Sequence, residues 1–107
     1  MSFIDTSKLK IVERRPGWLG RFFDSGNMTF GHYEFKKGAD IHEHGHEQEE
    51  VWHVLEGTLQ ITIGGKTEIA GPGFVGIVPP HVKHSVVALS DGKATVVDTP
   101  RRVIPGV

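Results

Sequence analysis

Residues 38–57 read GADIHEHGHEQEEVWHVLEG, and the interpretation of the whole chain starts from this stretch. His44 and His46 are two residues apart, a spacing that on a strand points both imidazoles to the same face. Glu50 follows four residues later, which leaves room for a short turn before the next strand brings a carboxylate back toward the pair. The pattern indicates two strands that carry metal-binding side chains to a common face.

The chain around this stretch alternates between β-rich runs and turn residues, with 14 glycines and 6 prolines. Helical periodicity is hard to find, and such spacing is typical of an all-β sandwich or barrel. Thr58–Ile63 alternates strictly between polar and apolar residues, and Gly64-Gly65 then predicts a hairpin turn. The predicted strands are Met28–Phe35, Asp40–His46, Val51–Leu55, Thr58–Ile63, Lys66–Ile69, Phe74–Val78, Ser85–Ala88 and Ala94–Asp98.

The length of 107 residues suits a single domain, which we divide into two parts. Residues 1–26 include RRPGWLGRFF at positions 14–23, where chain breakers alternate with large aromatic residues. We interpret this part as an N-terminal arm or strand that packs its aromatic side chains on the barrel of residues 27–107. Two alternatives stay open: the arm crosses to a second subunit, or it covers the mouth of the pocket.

Composition excludes several classes of partner and chemistry. Lysine and arginine number 12 against 13 aspartate and glutamate residues, so no charge excess favours nucleic acid or an anionic membrane. The absence of cysteine excludes disulfides, thiolate metal sites and cysteine nucleophiles. The charged N-terminus and the short apolar runs predict a cytoplasmic protein without a membrane span. Low net charge leaves self-association open, and the exposed edges of an open β-sandwich favour a homodimer.

Histidine is the exceptional residue type, because six of the seven histidines lie between His42 and His84. His84 follows Pro79-Pro80 in a segment that a barrel would bring across the lumen from His44 and His46. Three imidazoles and one carboxylate form a mixed nitrogen and oxygen shell that suits Fe, Mn, Ni, Co or Zn. Four protein ligands would leave two positions of an octahedron for water or a substrate.

Two motifs carry a family resemblance. The pattern G-x5-H-x-H-x3-E-x6-G is filled without a gap by Gly38, His44, His46, Glu50 and Gly57. The pattern G-x5-P-x-G-x2-H-x3-N is matched at Gly73, Pro79 and His84, with His81 in place of its inner glycine and Ala88 in place of its asparagine. The chain therefore resembles a small single-domain cupin with an RmlC-like jelly roll. The resemblance implies a double-stranded β-helix with one divalent transition metal ion on His44, His46, Glu50 and His84.

Strand parity predicts where the remaining histidines point and which residues form the walls of the pocket. His42 shares the parity of His44, and the motif register places it near the strand start, at the pocket rim or in solvent. His53 has the opposite parity to Glu50 and is expected to face away from the metal. Inward-facing residues give the pocket a partly aromatic wall, for which the candidates are Trp52, Val54, Leu59, Ile61, Phe35 and Tyr33.

An enzyme that transfers protons needs an acid or base beside the metal. The candidates are Tyr33, His81, Asp98 and Arg101. The tail VDTPRR at positions 97–102 resembles that of many small cupins, among them those that linearise unsaturated uronates from pectin or alginate. Those cupins have glutamine where this chain has Glu50. An alternative for Asp98 and Arg101 is a surface ion pair at a strand end.

Three function classes remain open. The first is a metal-dependent enzyme acting on a small organic acid, sugar or phenolic compound by dioxygenation, isomerisation or lyase chemistry. The second is a non-catalytic barrel that binds or senses a small molecule and uses the metal for recognition. The third is a structural barrel with an incidental ion. The complete ligand set favours the first class.

Overall fold

The alternating runs form ten β-strands and one 3-10 helix in the computed structural model of this chain, which describes residues 2–107. The helix spans Thr6–Lys8. The strands are β1 (Val12–Arg15), β2 (Trp18–Asp24), β3 (Thr29–Phe35), β4 (Asp40–His44), β5 (Glu49–Glu56), β6 (Leu59–Ile63), β7 (Lys66–Ala70), β8 (Val75–Val78), β9 (His84–Ala88) and β10 (Gly92–Thr99).

Two antiparallel sheets make up the barrel. The larger sheet has the strand order β1-β2-β3-β10-β5-β8, and the smaller one has the order β4-β9-β6-β7. Every described strand pair is antiparallel. The all-β jelly roll predicted from the sequence is confirmed. No helix among residues 2–107 has the length and apolar character needed to cross a membrane.

The core lies between the two sheets, because every second side chain of each strand points inward. On β6 the buried residues Leu59 and Ile61 alternate with partly exposed ones, as the sequence predicts. Toward one end of the barrel the core becomes aromatic. The Trp18 ring lies edge-on to Tyr33 and Trp52, with ring centroids 5.7 and 5.8 Å away.

Each of the eight predicted strands is present, with ends that differ by at most two residues. The difference that matters for function is at the end of β4. The sequence predicts that this strand continues to His46, but it ends at His44, so His46 belongs to the loop that leads to β5. The two histidines therefore do not share a face by strand alternation, and the loop must bring His46 back.

The N-terminal segment contributes β1 and β2, two strands that the sequence analysis did not identify. β2 pairs with β3 from Trp18 opposite Phe35 to Asp24 opposite Thr29, and its residues Trp18 and Phe22 are buried. Gly20 interrupts the alternation of inward-facing and outward-facing side chains that would otherwise mark β2 in the sequence. The packing at this position nevertheless requires glycine. A Cβ atom there would lie 2.5 Å from the Phe22 ring. Exchange of this segment between subunits stays a prediction, as does the homodimer.

Strand pairing changes register in three places, one of which lies between Lys93 and Ala94 where β10 pairs with β5. The other two are β-bulges on β1 and β4. The pairing of β1 with β2 shifts between Glu13 and Arg15, and the pairing of β4 with β9 shifts between Ile41 and His44. A bulge inserts an extra residue into one strand and redirects the side chains around it, often beside a functional site. Both bulges lie on strands that line the cavity described below.

Candidate metal centre

Three imidazoles from separate segments meet at one end of the barrel. His44 ends β4, His46 lies in the following loop, and His84 begins β9. Each offers a ring nitrogen within 4.8 Å of the other two. His44 and His84 face each other across the β4–β9 pair, with ring centroids 4.3 Å apart. The loop returns His46 to the group, 5.0 Å from the His84 ring.

Hydrogen bonds to the backbone set the same tautomer in all three rings. Each Nδ1 lies near a carbonyl oxygen two residues away: 2.9 Å for His44 and His42, 3.1 Å for His46 and Gln48, and 3.2 Å for His84 and Val82. A carbonyl oxygen only accepts, so each Nδ1 carries the proton and donates it. Each neutral ring then has its lone pair on Nε2, the arrangement found in metal-binding histidines.

Glu50 supplies a carboxylate to the same place from the opposite sheet. Its Oε1 lies 3.3 Å from Nε2 of His46, and its Oε2 lies 3.0 Å from Nε2 of His84. Within residues 2–107 these two Nε2 atoms are buried and have no hydrogen-bond donor as partner. A lone pair that faces a buried carboxylate is satisfied by a proton or by a metal ion between them. Burial lowers the pKa of His84, but the hydrogen bond and the charge of Glu50 outweigh burial and raise that pKa before a metal binds. The donors present therefore fit a divalent metal ion.

The ligand-bearing side chains form two overlapping groups. His44, His46 and His84 make one, and His46, Glu50 and Asp98 make the other. His46 belongs to both and connects the histidine group to the acidic group. The four residues predicted as ligands are thus neighbours, with Asp98 as an additional carboxyl group that the sequence analysis assigned to acid–base chemistry.

Two donors hold the Glu50 carboxylate in place. The indole Nε1 of Trp52 donates to Oε2 at 2.7 Å, and Nη1 of Arg102 donates to Oε1 at 3.1 Å. Burial alone would raise the pKa of Glu50, but before a metal binds the hydrogen bonds with His46 and His84, followed by those with Asp98 and Trp52, outweigh burial and hold the pKa far below the usual range. Glu50 is therefore ionised and oriented before any ion binds, as expected of a ligand supported by its neighbours.

Asp98 lies beside Glu50, and its pKa is shifted in the opposite direction. Burial, followed by the negative charge of Glu50, raises the pKa of Asp98 to about 8. Its Oδ2 is 3.8 Å from Nη1 of Arg102, and its Oδ1 is buried without a hydrogen-bond partner among the described residues. Two adjacent carboxyl groups thus have pKa values driven apart, a common arrangement in sites that transfer protons.

A cavity of about 390 Å³ opens next to this cluster. Its volume lies within the range of small-molecule sites. His44, Glu50, Asp98 and Arg102 form its polar side. The other lining residues are mostly apolar or aromatic, with further arginines from β1: Arg14, Arg15, Trp18, Phe22, Thr29, Gly31, Tyr33, Ile41, His42, Trp52, Val96 and Ile104.

Two of the four acid–base candidates line this cavity. Tyr33 and Asp98 do so, whereas His81 and Arg101 lie elsewhere. The Arg101 guanidinium points away and donates from Nε to the Ser25 carbonyl at 2.8 Å. The adjacent Arg102 faces Glu50 instead. The chain leaves β10 at Thr99, and strand parity stops predicting orientation beyond that point.

His81 lies outside the cavity, and its backbone contributes to the structure of the loops that carry the ligands. It is exposed, and its φ of 66° lies in the left-handed region where the family pattern has glycine. Its backbone N–H donates to the His46 carbonyl at 2.7 Å, which joins the two ligand loops. Gly45 permits this approach, because a Cβ atom there would lie 3.2 Å from the His81 carbonyl oxygen.

The other expected orientations can be compared directly with the structure. His53 is exposed on the outer face of β5, as parity predicts, while Trp52 and Val54 are buried. His42 is exposed and lines the cavity edge, where its Nδ1 lies 2.7 Å from Nη1 of Arg15. Of the predicted wall residues, Tyr33 and Trp52 line the cavity. Phe35, Val54, Leu59 and Ile61 are buried in the core outside it.

Comparison with known proteins gives consistent matches. A family model described as a cupin domain matches residues 31–100. An uncharacterized protein of Streptomyces coelicolor is 33% identical over 71 residues, which is 66% of this chain and 68% of that protein.

Solved structures with similar folds cover most of this chain. An RmlC-like cupin from Shewanella frigidimarina has a TM-score of 0.89 and 24% identity, covering 95% of this chain and 93% of its own. KdgF from a Halomonas species has a TM-score of 0.88 and 24% identity, covering 95% and 96%. Bacillus subtilis oxalate decarboxylase, studied for its Mn(II) centres, has a TM-score of 0.79 and 22% identity, covering 91% of this chain and 29% of its own.

Proposed function

This chain belongs to the cupin family, and on that basis we propose that it is a metal-dependent enzyme acting on a small organic acid, sugar or phenolic compound. One observation supports the proposal most strongly. The buried Nε2 atoms of His46 and His84 face the ionised Glu50 without any donor among the described residues. A divalent cation satisfies all three groups at once.

The metal, when bound, would supply Lewis acidity or a redox couple. Fe, Mn, Ni, Co and Zn all suit the donor set of imidazoles and one carboxylate. The residues predicted to hold the ion are His44, His46, Glu50 and His84. The role of Trp52 and Arg102 is to fix the carboxylate of Glu50: Trp52 donates to the oxygen that faces His84, and Arg102 donates to the oxygen that faces His46.

We assign proton transfer to Asp98 and Tyr33, the two acid–base candidates that line the cavity. Asp98 is the proposed acid or base, because burial and the charge of Glu50 raise its pKa to about 8 before a metal binds. Burial also raises the pKa of Tyr33, with Arg14 opposing the rise, so this phenol stays protonated at neutral pH. We assign Asp98 as the acid or base and Tyr33 as a donor that orients the substrate.

The experiment that divides the reaction classes is elemental analysis of protein from its own host, combined with oxygen uptake on candidate substrates. Iron with substrate-dependent oxygen uptake would select a dioxygenase. Turnover with zinc or nickel and no oxygen uptake would select an isomerase or lyase. Protein that lacks stoichiometric metal, and whose turnover is unchanged when His84 is replaced by alanine, would contradict the proposal.

Two alternatives keep the same metal centre. A sensing or binding barrel would hold one metabolite tightly and turn over none of the candidate compounds. A uronate-linearising cupin would remove the ultraviolet absorbance of an unsaturated uronate. The presence of Asp98 and Arg102 in one cavity favours testing the uronate early. Glu50 in place of glutamine argues that the ligand shell differs from that group.

A further inference from the structure

Two consecutive arginines on β1 both line the cavity, and the proposed metal centre uses neither of them. In a regular strand, Arg14 and Arg15 would point to opposite faces of the sheet. The bulge between Glu13 and Arg15 breaks that alternation. It turns both guanidinium groups toward the same space, in the way that bulges redirect side chains beside functional sites.

Both side chains are positioned without being neutralised. Arg15 donates from Nε to the Asp40 carbonyl at 3.1 Å, and its Nη1 lies 2.7 Å from His42 Nδ1. Arg14 approaches the Tyr33 hydroxyl closely enough for its charge and hydrogen bond to oppose the rise in the pKa of that phenol. Within residues 2–107, neither arginine forms an ion pair with a carboxylate, whereas Arg102 pairs with both Glu50 and Asp98.

The charge of the cavity therefore favours an anion. Three guanidinium groups line it, and its two carboxyl groups, Glu50 and Asp98, are both paired with Arg102. A bound divalent metal would add further positive charge. Guanidinium groups present several donors in a planar fork that matches a carboxylate, and they keep their charge at any physiological pH.

We propose that Arg14 and Arg15 form a carboxylate-binding subsite, and that the substrate is an organic acid with a ring-shaped body. The ring would lie against the aromatic wall of Trp18, Tyr33 and Trp52. The proposal rests on the proposed function, because it takes the cavity beside the metal centre as the substrate site. Both arginines lie outside residues 31–100, so the family match does not provide this subsite.

The test compares anions with neutral molecules of the same shape on the metal-loaded full chain. The probes are benzoate with benzamide, and galacturonate with galactose, with affinities measured by calorimetry or ligand-observed NMR. We expect at least one anion to bind about tenfold more tightly than its neutral partner. Arg14→Gln and Arg15→Gln should each weaken anion binding about tenfold and leave the neutral partner unaffected.

Arg21→Gln is the matched control, because Arg21 lies on β2 with the outward parity and does not line the cavity. It should bind the anions like the wild type. Equal binding of anions and neutral partners, no binding of either anion, or unchanged affinity in both cavity variants would overturn the subsite.

Metal content, measured on the same samples, separates this result from the proposed function. Variants that keep their metal but lose the anion preference support the subsite. A wild type without metal that still prefers anions through Arg14 and Arg15 would contradict the metal-dependent enzyme and leave the subsite standing.

Discussion

Nε2 of His84 lies 3.0 Å from Oε2 of Glu50, and this contact joins the two sheets of the barrel. His84 belongs to β9 of the smaller sheet and Glu50 to β5 of the larger one. Both side chains are almost fully buried, at 1% and 3% exposed. An ion held between them would link both sheets, so metal binding and barrel stability should be coupled.

The first prediction is thermal stabilisation by metal. A ligand at about 100 times its dissociation constant adds roughly 2.7 kcal/mol to the free energy of unfolding. For a domain of this size that corresponds to a melting temperature about 10 °C higher, or more. Differential scanning calorimetry with and without added Co²⁺ or Ni²⁺ checks the shift. A chelator should reverse it, and an equal shift in His84→Ala would place the effect elsewhere.

The second prediction concerns the ligands themselves. Glu50→Ala and His84→Ala should each lose most of the bound metal, because each removes one of only four proposed protein ligands. Elemental analysis of the purified variants gives the measurement. His53→Ala is the control, because that side chain is exposed on the outer face of β5. Full metal occupancy in both ligand variants would contradict the assignment. Loss of metal in His53→Ala would show that metal content depends on the general stability of the protein.

The third prediction isolates the support of Glu50. Trp52→Phe keeps an aromatic ring but removes the N–H that donates to Oε2 at 2.7 Å. Loss of such a supporting hydrogen bond typically weakens metal binding by about 10- to 100-fold. Competition with a chromophoric chelator measures the affinity.

Trp18→Phe is the control for Trp52→Phe. Trp18 is equally buried and donates to the Asp40 carbonyl instead of to Glu50. It should lower stability with little change in metal affinity. Equal affinities in the two variants would mean that the indole N–H does not orient the carboxylate.

The fourth prediction separates the backbone of His81 from its side chain. His81→Gly should keep full metal content, because only the backbone N–H reaches the His46 carbonyl. Glycine adopts the left-handed conformation without the cost of roughly 1–2 kcal/mol that other residues incur, but it loses more entropy on folding. The free energy of unfolding should therefore change by less than about 1 kcal/mol, as measured by urea denaturation. Lost turnover with intact metal would instead restore His81 as a catalytic residue.

Most strands could be predicted from the sequence, because their alternation is regular and glycine or proline marks their ends. β2 could not be predicted, because the requirement for one of its glycines comes from side-chain packing. Gly20 stands where the rings of Phe22 and Tyr33 fill the space of a side chain, so the inward face of β2 looks interrupted in the sequence. Only the neighbouring strand reveals why glycine is required there.

The candidate site was predictable as a set of residues but not in all its geometry. Motif spacing identified the three histidines and Glu50, although His46 reaches them from a loop rather than from β4. The sequence pattern favours Arg101, whereas Arg102 faces Glu50, because the chain leaves the strand at Thr99. The β1 bulge has no sequence marker beyond the adjacent Pro16-Gly17 turn.

The central claim is that one metal ion lies among the three imidazoles and Glu50. Anomalous diffraction from crystals of the metal-loaded protein, collected on both sides of the absorption edge of the bound element, tests it most directly. We expect one strong anomalous peak enclosed by the Nε2 atoms of His44, His46 and His84 and the Glu50 carboxylate. Full metal content with no peak at that position would contradict the account.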